Sequence, residues 1–130
     1  PGTETVPYVI STPFDENTLT TDRAMFDYMK AQLSAHPDLA LGGPSLHWLN
    51  EALMEKRRLA ARPAPAIPAL TFLGSNERIV EPSRIHDRMA DNPNGKLVML
   101  DGAEHEVMME TPAIRTRVFN ETTAWFDAHS

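Results

Sequence analysis

The stretch Ala69-Leu70-Thr71-Phe72-Leu73 is an apolar run of strand length that leads directly into Gly74-Ser75-Asn76-Glu77-Arg78. A second such run, Leu97-Val98-Met99-Leu100, is followed by Asp101-Gly102-Ala103-Glu104-His105. Nearly continuous apolar strands are typical of parallel sheets that are covered on both faces. The sequence therefore predicts two parallel strands, one ending in a carboxylate and the next in a histidine.

The residues around these strands predict an alternating strand–helix–strand–helix order, and so an α/β fold with a right-handed crossover. A short helix is expected over Pro82–Ala90 and a final helix after Thr111, each with proline at its first position. Two strands do not make a stable sheet alone, and the chain opens at Pro1 without an initiator methionine. We therefore expect an excerpt of a longer protein, with the rest of the sheet elsewhere in the polypeptide.

The part before the strands predicts helices. Residues 1 to about 19 are expected to be irregular, and a helix follows N-cap candidates Thr20, Thr21 and Asp22. The apolar stripe of this helix is Met25, Phe26, Met29 and Leu33. A second helix is expected after Ser45, and its predicted buried side is Leu46, Leu49, Leu53 and Leu59. The proline-rich segment from Arg62 to Pro68 predicts a stiff, extended connector and the best internal boundary.

Composition excludes several classes of protein. A net charge of −6 and a pI near 5.3 argue against a nucleic-acid binder, which normally carries a basic surface. No apolar run is long enough to span a bilayer, and the N-terminus has no signal-peptide pattern. The absence of cysteine excludes disulfides and thiolate metal sites. The other histidines lack a partner four residues along a helix, so we expect no metal and no cofactor.

His105 is the main candidate for chemistry. A catalytic histidine needs a carboxylate that orients its ring and a nucleophile that it deprotonates. The carboxyl ends of parallel strands meet at one edge of a sheet, so we expect Glu77 to be the orienting acid. Other acids lie nearby in the sequence, namely Glu81, Asp101, Glu104 and Glu106. The alternative for His105 is a loop histidine that only hydrogen-bonds backbone.

Two segments carry a family resemblance. Leu73–Glu81 resembles the acid-bearing segment of the monoglyceride-lipase and lysophospholipase branch of the α/β-hydrolases. Leu100–Val107 resembles the histidine segment of that branch, which leads to a glutamate such as Glu110. Carboxylate followed by histidine is also the second half of the serine–acid–histidine order of these enzymes. The first half is missing, because the sequence contains no Gly-x-Ser-x-Gly.

Further segments are similar to bacterial lysophospholipases of the same branch. These are Leu41–Trp48 and Ile85–Arg88, and the resemblance runs from about Phe14 to Phe126. It implies the C-terminal part of an α/β-hydrolase fold: residues 1–62 form part of a helical cap, and residues 63–130 form the C-terminal portion of the core.

The resemblance also implies a function. The chain is expected to be the C-terminal half of a serine hydrolase that cleaves carboxylic esters, lysophospholipids or monoacylglycerols, with Glu77 and His105 as triad acid and base. Most of the wider family has aspartate where this chain has Glu77, and a glutamate can still reach the ring. The nucleophilic serine is expected in the N-terminal half of the same polypeptide, so the 130 residues alone should be inactive. We expect the protein in the cytoplasm or at the periphery of the inner membrane of a bacterium.

Two apolar residues are candidates for substrate binding. Trp48 would help to wall an acyl pocket, and its alternative role is packing within the cap. Met108 would face an apolar substrate, and its alternative role is core filling.

Rival functions stay open at this point. An aspartate nucleophile in the missing half would indicate an epoxide hydrolase, and a peptidase is a further possibility on the same fold. A replaced elbow serine would indicate a non-catalytic relative that only binds ligands.

Overall fold

The computed structural model describes residues 6–130. In this range the elements are α1 (Tyr8–Ser11), α2 (Arg23–Ala35), α3 (Leu46–Ala60), β1 (Ala69–Gly74), α4 (Pro82–Ala90), β2 (Gly95–Leu100) and α5 (Pro112–Ala128). Short 3₁₀ turns occur at Phe14–Glu16, Pro37–Leu39 and Val107–Met109. Among the described residues, no helix has the length and apolar character that crossing a bilayer requires.

The two strands pair in parallel, as the sequence predicts. Their register runs from Ala69 opposite Gly95 to Gly74 opposite Leu100, so both strands end level with each other. The crossover between them contains α4, which packs against β2. As a result, the loops that follow β1 and β2 leave the sheet at the same edge, and these loops carry Glu77 and His105.

A small apolar core supports this edge. Val98, Leu100, Ala103 and Val118 are buried together. Side chains packed around them are Leu70, Phe72, Val107 and Ile114. Full burial of a valine or leucine side chain stabilises a fold by about 1.5–3 kcal/mol. The core therefore packs β2 against α5.

The contacts of the chain divide it into two compact units. One contains the residues up to Asn17 together with Phe26–Arg62, and the other contains Thr18–Met25 together with Pro63–Ser130. The break after Arg62 falls at the start of the predicted connector. Thr18–Met25 groups with the strand-containing unit, and Thr18–Thr21 hydrogen-bond to the loop after β2. The assignment of residues 1–62 to a cap stays a prediction.

The start of the first unit differs from the sequence prediction, whereas the start of α3 agrees with it. Residues 1–5 of the segment predicted to be irregular lie outside the described range, and the rest forms α1 and a 3₁₀ turn. Helix α3 begins as predicted, since the Ser45 hydroxyl accepts a hydrogen bond from the N–H of Trp48 at 3.1 Å.

The predicted buried side of α3 is wrong for this structure. Its leucines are exposed, namely Leu46, Leu49, Leu53 and Leu59. Apolar spacing identifies a face of a helix, but burial also needs a partner surface, and no residue of α3 is buried in the part of the chain that the structure describes.

Candidate active site

The structure brings Glu77 and His105 into direct contact. Nδ1 of His105 lies 2.6 Å from Oε2 of Glu77, within the distance expected for a catalytic hydrogen bond. The Glu77 side chain is only 4% exposed, whereas that of His105 is 33% exposed. Because an ionised carboxylate can only accept, Nδ1 carries the proton and Nε2 is the ring nitrogen that can take a proton from a nucleophile.

The other carboxylate oxygen of Glu77 is held by its own loop. Oε1 accepts hydrogen bonds from the backbone N–H groups of Ile79 at 2.6 Å and Val80 at 3.0 Å. The longer glutamate side chain thus folds back over the turn that follows it. One oxygen is fixed by the backbone while the other faces His105.

Burial of the carboxylate alone would raise the pKa of Glu77. The hydrogen bonds from Val80 N–H, His105 and Ile79 N–H and the charge of His105 outweigh this effect, and the pKa lies below the ordinary value. The acid is therefore ionised at neutral pH. In that state it can orient the imidazole and stabilise the imidazolium that forms during catalysis.

Close approach of the two loops depends on Gly74. A Cβ atom at this position would collide with the carbonyl oxygens of Ala103 and Glu104. The N–H of Asn76 donates to Ala103 O at 2.9 Å, and the Asn76 side chain donates to Gly102 O at 3.0 Å. One backbone and one side-chain hydrogen bond of Asn76 therefore join the two loops just before Glu77 and His105.

A second pair lies beside the first. Arg78 donates to Glu104 through two guanidinium nitrogens, from Nη2 to Oε1 at 2.7 Å and from Nε to Oε2 at 3.4 Å. Glu104 is therefore engaged with Arg78. Two more of the alternative acids face hydroxyl groups: Glu81 accepts from Ser83 at 3.1 Å, and Asp101 lies 3.5 Å from the Ser75 hydroxyl. Glu77 is thus the acid that the geometry pairs with His105.

An open cleft of about 520 Å³ adjoins Glu77 and is lined by Ser75, Asn76, Glu77, Arg78 and Glu104. Met108 lies in the 3₁₀ turn after His105 and is 57% exposed. Trp48 lies on α3 of the other unit and is 60% exposed. The substrate-binding roles of both residues stay predictions.

The other histidines lie apart from this chemistry. His36, His47 and His86 are exposed, and Nδ1 of His129 contacts the Trp125 carbonyl at 2.7 Å. Between residues 6 and 130 no group of three or more histidine, aspartate or glutamate side chains is arranged to hold a metal ion.

Comparison with known proteins gives the chain a family context. No family model matches it. Lysophospholipase L2 of Escherichia coli K12 is 29% identical over 127 residues, which cover 91% of this chain and 37% of that protein. The probable lysophospholipase L2 of Haemophilus influenzae is 27% identical over 115 residues, covering 88% of this chain and 37% of its own length. The chain thus spans little more than a third of the length of these relatives.

The fold of the chain is shown by its similarity to a solved structure. A soluble variant of monoglyceride lipase from Saccharomyces cerevisiae matches 92% of this chain and 43% of its own, with a TM-score of 0.69 and 21% identity. The chain has an α/β-hydrolase fold. The predicted fold class is confirmed, and so is the resemblance to lysophospholipases and monoglyceride lipase.

Sequence reasoning left one buried acid of this chain without a role. Glu110 is fully buried and bonds to Thr21, which lies 89 positions away along the chain. The resembling histidine segment leads to a glutamate such as Glu110, and this was the sequence signal that pointed to the acid. No local pattern could indicate Thr21 as its partner, since the sequence around Thr21 only suggests a helix N-cap.

Proposed function

We propose that Glu77 and His105 are the acid and the base of a serine-hydrolase triad that cleaves carboxylic esters. The observation that carries the proposal is the 2.6 Å contact between His105 Nδ1 and a buried, ionised Glu77. This arrangement presents Nε2 as a general base at the carboxyl edge of the sheet, where open α/β folds bind their ligands.

In the proposed reaction, a serine attacks the ester carbonyl while Nε2 of His105 takes the hydroxyl proton. The same imidazolium then protonates the leaving alcohol, and water hydrolyses the acyl-enzyme by the reverse sequence. Glu77 stabilises the imidazolium in both steps. The nucleophile and the oxyanion-binding amides come, in this proposal, from another part of the polypeptide.

The proposed substrates are lysophospholipids or monoacylglycerols, which share a single acyl ester. The names of the relatives, lysophospholipase L2 and monoglyceride lipase, support this choice. Trp48 and Met108 are proposed to contribute apolar surface to the acyl site, and no cofactor takes part. Location in the cytoplasm or at the periphery of the inner membrane belongs to the same proposal.

The test uses the complete polypeptide that contains this chain. His105→Ala should remove most hydrolysis of lysophosphatidylcholine and monooleoylglycerol without unfolding the protein. His86→Ala is the matched control, since His86 is an exposed histidine on α4. Equal turnover by the two variants would contradict the proposal. Hydrolysis of an epoxide but of neither ester would indicate the rival enzyme, and ligand binding without turnover would indicate a non-catalytic relative.

A further inference from the structure

Glu110 is a buried acid that the proposed reaction does not use. Its side chain is fully buried, and each carboxylate oxygen accepts two hydrogen bonds. Oε1 accepts from the N–H groups of Thr21 at 3.0 Å and Glu104 at 2.8 Å. Oε2 accepts from the Thr21 hydroxyl at 2.5 Å and the Thr111 N–H at 3.2 Å. Burial of a carboxylate is costly unless it is bonded in this way, so the position of Glu110 is tightly defined.

The segment that Glu110 holds runs alongside the histidine loop. Thr18 O accepts from the N–H of His105 at 3.4 Å, and Leu19 O accepts from the N–H of Glu106 at 2.8 Å. The Thr20 hydroxyl donates to the Met109 carbonyl at 2.7 Å. We call the group formed by Glu110, Thr20 and Thr21 the latch. The latch binds the histidine loop on both sides of His105 and Glu106: at the N–H of Glu104 and at the carbonyl of Met109.

We propose that the latch is a positioning device for His105, which rests on the function proposed above. Glu110 anchors the N–H of Glu104, the residue directly before His105, and anchors through Thr21 the segment that contacts the N–H of His105. Glu77 fixes the ring from one side, and the latch fixes the backbone from which the ring projects. A displacement of about 1 Å in a reacting group can cost about 10²-fold in rate.

The location of the partners of Glu110 distinguishes a role in positioning His105 from a general contribution to the stability of the fold. Its four donors lie in the Thr21 segment, in the histidine loop and at the start of α5. Val118, by contrast, belongs to the apolar core beneath β2. Val118→Ala should therefore lower stability while leaving the latch in place, and it serves as the control for stability loss.

Substitutions at two residues, Glu110 and Thr21, test the latch in the complete polypeptide. Glu110→Gln keeps the shape but puts an amide nitrogen opposite backbone donors, so at least one N–H loses its acceptor. Thr21→Val removes only the hydroxyl donor, and Thr21→Ser retains it. We expect Glu110→Gln to lower kcat about 10- to 100-fold with little change in KM, Thr21→Val to lower kcat less, and Thr21→Ser to behave like the wild type.

The second readout is the low-field proton resonance of His105 Nδ1–H, which reports the bond to Glu77. It should shift or broaden in Glu110→Gln and Thr21→Val and stay unchanged in Val118→Ala below its melting temperature. An unchanged resonance and kcat in Glu110→Gln would overturn the proposal, as would an equal loss in Val118→Ala. If Glu110→Gln fails to fold, kcat and the His105 Nδ1–H resonance of Thr21→Val test the proposal in its place. If instead His105→Ala and Glu77→Gln retain full hydrolysis, the proposed function is wrong, and the resonance still reports whether the latch orients the ring.

Discussion

At the scale of single residues, the identity of the orienting acid is the point on which the site depends. Glu77 reaches His105 because its side chain is held by the N–H groups of Ile79 and Val80. A glutamine has the same size, but its amide can leave the imidazole in the wrong tautomer. Loss of the orienting acid costs roughly 10⁴-fold in a well-studied serine protease.

We therefore expect Glu77→Gln to lower kcat severely in the complete polypeptide, with Asp101→Asn as the control on the neighbouring loop. Ester hydrolysis under saturating substrate measures the difference. Near-normal turnover by Glu77→Gln together with a loss in Asp101→Asn would show that the wrong acid has been chosen.

The lowered pKa of Glu77 predicts a dependence of stability on pH. A carboxyl group whose pKa is depressed by folding stabilises the native state above its ordinary value of 4.5, and this contribution is lost as the pH falls through the depressed value. The wild type should therefore be more stable than Glu77→Gln at neutral pH, and the difference should shrink below pH 4.5. Denaturant unfolding at several pH values measures it. A difference that grows on acidification would contradict this account.

At the scale of elements, the approach of the two strand ends depends on glycine. Gly74→Ala should force the loops after β1 and β2 apart, because its Cβ meets backbone oxygens that cannot move aside. Gly102 has a φ of 75° and open space around it, so Gly102→Ala should cost only the conformational penalty of about 1–2 kcal/mol. Melting temperatures compare the two variants. A smaller loss of stability in Gly74→Ala than in Gly102→Ala would show that the loops after β1 and β2 are less closely joined than the structure indicates.

Elements with local signals were predictable from the sequence. Apolar runs bounded by glycine and proline identify both strands, and Pro82 marks the start of α4 because its missing N–H suits a first helical turn. The contact of Glu77 with His105 followed from the level ends of parallel strands. The partners of Thr20 and Thr21 were not predictable, because they lie 89 positions away.

Among the N-cap candidates before α2, Asp22 accepts a hydrogen bond from a helical N–H, that of Met25, at 3.0 Å. Thr111 stands at the N-cap position of α5, but its side chain makes no capping bond. The carboxylate of Glu110 accepts the Thr111 N–H instead. At Thr20 and Thr21, partners 89 positions away engage the hydroxyl groups that the local pattern offers as caps.

At the scale of the whole molecule, much apolar surface of the strand-containing unit is exposed. Met99 on β2 is 41% exposed, and Phe119 and Phe126 on α5 are 53% and 68% exposed. Two strands also leave unpaired edges that promote aggregation. We expect residues 1–130 expressed alone to be unstable and catalytically inactive.

Near-ultraviolet circular dichroism, thermal melting and hydrolysis of a short-chain ester test this expectation. A monomer that melts cooperatively would show a self-sufficient domain. Ester hydrolysis by the same sample would require a nucleophile within the chain, with Ser75 and Ser83 as the first candidates.

The central claim is that His105, held by Glu77, activates a serine. Fluorophosphonate labelling of the complete polypeptide, followed by mass-spectrometric mapping of the modified residue, tests it most directly. We predict rapid labelling of one serine outside residues 1–130 in the wild type and in His86→Ala, and a loss of most labelling in His105→Ala. Labelling of His105→Ala at the wild-type rate, or modification of Ser75 or Ser83, would contradict the account.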